Sequence, residues 1–83
     1  MNIQDFITYL AQGREIEFCL NGKNYFLQPD YKNGQGYVLY YCENTDNSKA
    51  IFSGTSDDIL KYRFENKICL QNDFDLFEFS FIL

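Results

Sequence analysis

Two periods of apolar residues run along this chain, and the switch between them lays out its elements. Ile3, Phe6, Ile7 and Leu10 stand at i, i+3, i+4 and i+7, the spacing of one helical stripe. Asn2 is placed to cap that helix, and Asp5 suits its positive end. Gly13 fits the position just past its end, with Arg14 following. The period then drops to two. In Glu15-Ile16-Glu17-Phe18-Cys19-Leu20, Ile16, Phe18 and Leu20 point one way and Glu15 and Glu17 the other.

Asn21-Gly22 comes next, between two alternating runs. That dipeptide favours a type I′ turn, so the pattern predicts a hairpin with a return strand over 23–28. Pro29 lacks a ladder donor and marks the end of that strand or an edge position. The turn formers in 30–36 read as a loop. A third strand over 37–42, apolar on both faces, reads as the central one. A polar loop over 43–49 leads to a short fourth strand over 50–53, closed by Gly54. Thr55 or Ser56 caps a second helix with Asp57 and Asp58 in its first turn, and Ile59, Leu60 and Phe64 supply its apolar patch. Ile68-Cys69-Leu70 fits a short strand or a buried loop, and a single helical turn fits near Phe74. The last alternating run places Phe77, Phe79, Phe81 and Leu83 on one buried face.

The expected architecture is α+β: an N-terminal helix, a four-stranded antiparallel meander, a second short helix and a C-terminal strand, with the helices on one face of the sheet. At 83 residues the chain has room for one hydrophobic core, so residues 1–83 are expected to form a single domain. Nine Phe and seven Tyr make a core feasible without disulfide or metal. The expected core aromatics are Phe6, Phe18, Phe52, Phe64, Phe77, Phe79 and Phe81.

Charge narrows the partners. Seven basic residues face twelve acidic ones, a net charge of −5. That balance argues against direct binding to nucleic acid or to an anionic membrane, which need clustered Lys and Arg. It serves solubility, or it forms an acidic face for a basic partner. Cys19, Cys42 and Cys69 are odd in number and widely spaced, unlike a secreted disulfide framework. The opening Met1-Asn2-Ile3-Gln4-Asp5 does not resemble a signal peptide, and no apolar run reaches the length of a membrane span. The expected location is the cytoplasm.

Candidate chemistry is sparse. The chain has no histidine, the commonest acid–base group and zinc ligand. Glu15 with Glu17, and Asp73 with Asp75, read as solvated charges rather than a catalytic carboxylate pair across a cleft. Asn33-Gly34-Gln35-Gly36 lacks the rest of a phosphate-cradling loop and reads as a turn. No calcium-loop spacing occurs near Asp30 or Asp46. The cysteines read as small hydrophobes, since no basic cluster neighbours Cys19. No catalytic, metal or cofactor residue is assigned, and the expectation is a protein without enzymatic activity.

The tyrosines carry more. Tyr25, Tyr31, Tyr37, Tyr40 and Tyr41 gather around the second and third strands and exceed what one core absorbs beside Phe26, Leu27, Val38 and Leu39. They cover the back of a thin sheet, or they form a recognition face bordered by acids. The candidate partner-binding set is Glu15, Glu17, Tyr25, Tyr31, Tyr40, Glu43 and Asp46.

The run Gln12-Gly13-Arg14-Glu15-Ile16-Glu17-Phe18, with Asn21-Gly22-Lys23-Asn24-Tyr25-Phe26 and Phe77-Glu78-Phe79, resembles short uncharacterised proteins of Gram-positive bacteria and of their phages and mobile elements. The resemblance implies a context only: small accessory proteins, some of which bind and block host or rival machinery. It transfers no site residue. The expected function is an acidic interaction protein that binds a partner protein, of the kind that would block a basic nucleic-acid-binding surface. The alternative is a self-associating module, such as a homodimer, that binds a small ligand or serves as a subunit of a larger assembly.

Overall fold

Both helices are closed by their own side chains. In α1 (Ile3–Ala11), Asn2 Oδ1 accepts the Asp5 N–H at 2.9 Å and Asp5 reaches back to the Asn2 N–H, a reciprocal capping box. At the other end Gly13 N–H donates to Leu10 O and Arg14 N–H to Tyr9 O, a Schellman closure. The apolar stripe narrows to Phe6 and Leu10, which are buried, while Ile7 stays exposed. The same capping box recurs in α2 (Ser56–Lys61), between Thr55 and Asp58. The computed structural model describes residues 1–32, 36–44 and 46–83. Residues 33–35 of the turn expected over 30–36, and residue 45 of the loop expected over 43–49, lie outside the described residues.

Five strands form one antiparallel sheet: β1 (Ile16–Leu20), β2 (Lys23–Asp30), β3 (Gly36–Cys42), β4 (Ser48–Thr55) and β5 (Glu78–Ile82), in the order β4-β3-β2-β1-β5. The first four are the expected meander, and β5 joins beside β1. The middle of the sheet is β2, not β3 as the apolar run suggested. Asn21 and Gly22 have φ of +52° and +78°, as a type I′ turn requires, and pair Leu20 with Lys23 across it. β2 runs past Pro29. The proline is tolerated there because β1 pairs with β2 only as far as Leu27, so Pro29 lies on a locally open edge. β4 is longer than expected and contains Gly54. A Cβ on Gly54 would stand 2.7 Å from Asp58 Cβ, so glycine is what lets α2 start against the sheet.

One cluster of buried side chains joins both helices to one face of the sheet. Phe6, Leu10, Ile59 and Leu60 meet Ile16, Phe18, Leu20, Tyr25, Leu27, Tyr37 and Leu39. Phe18 is its hub, with the rings of Tyr25, Phe64, Phe77 and Phe79 all within 5.8 Å of its own. Edge-to-face pairs such as Phe18–Phe64 add about 0.5–1.5 kcal/mol each beyond area burial. Tyr37 ties the layers with its hydroxyl, 3.1 Å from Leu10 O and 3.0 Å from Arg14 O. Ile68, Cys69 and Leu70 are a loop packed into the core, bridged to Phe64, and Phe74–Leu76 is a single 3₁₀ turn. No helix among the described residues is long and apolar enough to cross a membrane.

The last strand departs from its simple alternation. A bulge between Glu17 and Phe18 leaves Ser80 as the extra residue: Phe79 pairs with Phe18 but Phe81 pairs with Glu17. The bulge inverts the phase, so Ile82 turns inward while Phe81 and Leu83 turn outward, at 49% and 63% exposure. Phe81 is therefore not a core residue, because one inserted residue flips every later side chain.

Candidate functional site

With both helices on one face, no described element covers the other face of the sheet, called here the open face, and strand register states what stands on it. Directly opposed residues share a face. One row crosses all five strands as Phe81, Glu17, Phe26, Tyr40 and Ala50. A second runs Glu78, Cys19, Asn24, Cys42 and Ser48. A third runs Gln28, Val38 and Ser53 on β2, β3 and β4, and Glu15, which exchanges two backbone bonds with Leu83, stands two residues before Glu17 on the same side. Phe26, Val38 and Tyr40 are half-buried, and the Phe26 and Tyr40 rings lie 6.2 Å apart. A shallow depression of about 590 Å³ opens beside them, lined by Gln28, Val38, Tyr40, Ala50 and Ser53 and, from the turn after β2, by Tyr31 and Lys32.

Charge is unevenly divided between the two faces, although Lys32, in the turn after β2, lines the depression on the open side. Glu15, Glu17 and Glu78 stand on the open side, and among the described residues no Lys or Arg occupies an outward strand position. Lys49 opposes Tyr41, and so turns to the helix side. Lys23 is held by Glu65 at 3.1 Å, Lys61 by Asp57 at 2.9 Å, and Arg63 by Lys67 O at 3.0 Å. Arg14 bonds Gln12 and lies over the Tyr9 ring. No described cation pairs with Glu15, Glu17 or Glu78. The charge of Glu17 is felt on its own face: burial first, and then Glu17, push the Cys42 thiol above its usual pKa.

The candidate residues from the sequence divide. Glu15, Glu17 and Tyr40 come together on the open face. Tyr25 does not: it opposes Phe18, is only 6% exposed, and packs in the core, so it leaves the candidate surface. Tyr31 is 78% exposed in the turn after β2. Glu43 and Asp46 are exposed between β3 and β4, at the opposite end of the sheet. The length of β2 puts roughly 20 Å between Tyr31 and that loop, so they bracket the face rather than share a contact.

Phe26, Phe81 and Glu78 are members of the face that the sequence reading passed over. A signal for Phe26 was present. A two-residue turn at Asn21-Gly22 opposes Glu17 to Phe26 and Phe18 to Tyr25, so the hairpin itself decides which aromatic faces out. Phe81 had no such signal, since the bulge that turns it outward is not marked by glycine or proline.

The cysteines are free, and Cys19 and Cys42 are separated by a whole strand on the open face. Two strand spacings, about 10 Å, exceed the reach of a disulfide. Among the described residues no three of His, Cys, Asp and Glu gather as metal ligands would. Comparison with protein-family models, with curated proteins and with solved structures finds no match to this chain. The functional reading rests on the geometry of the open face.

Proposed function

We propose that this protein acts by docking the open face of its sheet onto a basic partner protein. One observation carries the reading. The face opposite the helices combines half-buried aromatics with carboxylates that have no described cationic partner. Aromatic bodies supply desolvated contact area, and a ring of like charge selects a partner of opposite sign. The five strands sweep roughly 500 Å² in projection. With side-chain relief that approaches the ~800 Å² per partner of an ordinary specific interface. A basic nucleic-acid-binding groove is the kind of surface such a face would occupy and block, in the cytoplasm, as a small accessory protein of a mobile element would.

Self-association fits the same face less well. Two copies meeting face to face would bury Glu15, Glu17 and Glu78 of both in one interface, with no Lys or Arg at a described outward strand position to offset them. Pairing by sheet edges meets a bulge on either side, at Leu39/Tyr40 beside β4 and at Glu17/Phe18 beside β5.

The test is charge reversal with a control on the other side. Glu17→Lys and Glu15→Lys are compared with Asp57→Lys on α2 as baits in host lysate, at low and high salt. The expected result is one basic protein retained by the parent and by Asp57→Lys, lost with Glu17→Lys, and lost at high salt. Retention by all baits, or loss only with Asp57→Lys, contradicts the reading.

A further inference from the structure

Within the open face, Glu17 has a setting that its neighbours lack. It stands between two aromatic positions in register, Phe81 on one side and Phe26 on the other. Opposed residues on adjacent strands have Cβ atoms about 5 Å apart, so a ring flanks the carboxylate on each side. Phe81 is 49% exposed and Glu17 is exposed, so both the ring and the charge are presented outward. Ser80, the bulge residue, donates to the Glu17 backbone oxygen at 3.3 Å and leaves the carboxylate itself uncommitted among the described residues.

We propose that Glu17, between Phe81 and Phe26, is the anchor for an arginine side chain of the partner. The inference rests on the docking face and goes further by naming the group the face receives. A guanidinium is flat and forked. It bonds a carboxylate through two parallel N–H groups while laying its plane on an aromatic ring. A lysine ammonium is a compact, strongly hydrated point charge that does the first only in part and the second less well. The Glu17 setting asks for both at once. Glu15 has Leu83 opposite it and Glu78 has Cys19, so neither offers a ring in register among the described residues.

Two ten-residue peptides of equal charge, oligo-arginine and oligo-lysine, separate the possibilities when titrated into the isotope-labelled protein and followed by NMR. The expected result is about three- to ten-fold tighter binding of oligo-arginine, with shifts centred on Glu17, Phe26 and Phe81. Phe81→Ala and Glu17→Gln bring the ratio close to one, and Asp57→Asn leaves it unchanged. Phe81 is exposed enough for its truncation to leave the fold intact, which the amide spectrum checks directly. Equal affinities with shifts on the open face overturn the arginine anchor and leave the docking face standing. Shifts on the helix side, or no binding at low salt, overturn both.

Discussion

Removing one oxygen from Tyr37 tests how the helix layer is held to the sheet. The side chain is 2% exposed, and its hydroxyl lies within 3.1 Å of the carbonyls of Leu10 and Arg14, where α1 ends. Leu10 O also accepts the Gly13 N–H, so it keeps a partner in Tyr37→Phe, whereas Arg14 O loses the side-chain donor described for it. One hydrogen bond lost with one acceptor stranded costs about 1–3 kcal/mol. For a domain of this size that is a fall in Tm of roughly 4–8 °C for each kcal/mol. A second reading of the same residue comes from pH. Burial pushes the Tyr37 hydroxyl up to about 12, from an ordinary value of 10.0. The unfolded chain releases this proton above pH 10 while the folded chain holds it to about pH 12. Folded protein therefore binds more protons in that window, and stability falls as pH rises through it. Two pH units correspond to roughly 2.7 kcal/mol. The parent protein should exceed Tyr37→Phe by its full margin below pH 10 and lose that margin by about pH 12, because phenylalanine has no proton to release. Urea titrations of both proteins at stepped pH measure this. A margin under ~0.3 kcal/mol at neutral pH, or parallel curves from pH 9 to 12, would refute the reasoning.

Other consequences are checked with the same means. Phe81→Ser should change stability by less than about 0.5 kcal/mol, whereas Phe79→Ala, which strips a ring from the Phe6 and Phe18 cluster, should cost about 2–4 kcal/mol. Equal costs would place Phe81 inside and remove the bulge. Gly54→Ala should cost about 1–3 kcal/mol by forcing Asp58 away from the α2 cap, with loss of helical signal in circular dichroism; a neutral change contradicts the close approach. In native protein Cys69 should resist thiol reagents until unfolding, as it is 2% exposed. Glu17→Gln should lower the Cys42 pKa in part and speed its alkylation at pH 8, since burial still raises it but the lesser cause, the Glu17 charge, is gone; an unchanged rate would separate Glu17 from Cys42.

Local chemistry was legible in the sequence wherever a residue acts on its near neighbours. The Asn2 and Thr55 caps, the Asn21-Gly22 turn and the alternation of Ile16, Phe18 and Leu20 each follow from positions two to four residues apart. Phase over longer stretches was less legible. Tyr25 and Phe26 are adjacent aromatics, and composition alone does not say which faces the core. The pairing of Tyr25 with Phe18 does, because it joins two residues on separate strands. Phe81 is the harder case. Phe77, Phe79 and Phe81 alternate without a break, and the inversion arises from how β5 meets β1 around Ser80. The openness of the second face is a property of the whole topology. Both helices cross to the same side, so a face that alternation marks as polar-and-aromatic has no cover among the described residues.

Side-chain oxidation by hydroxyl radicals, with and without a basic partner recovered at low salt, tests the proposed docking face most directly. Phe26, Tyr40 and Phe81 stand on the open face, and Tyr9 and Tyr62 pack against the core from the other side. Docking through the open face predicts that the first three lose reactivity in the complex while Tyr9 and Tyr62 keep theirs. Protection of Tyr9 and Tyr62 with Phe26, Tyr40 and Phe81 unchanged would place the partner on the helices and contradict the account.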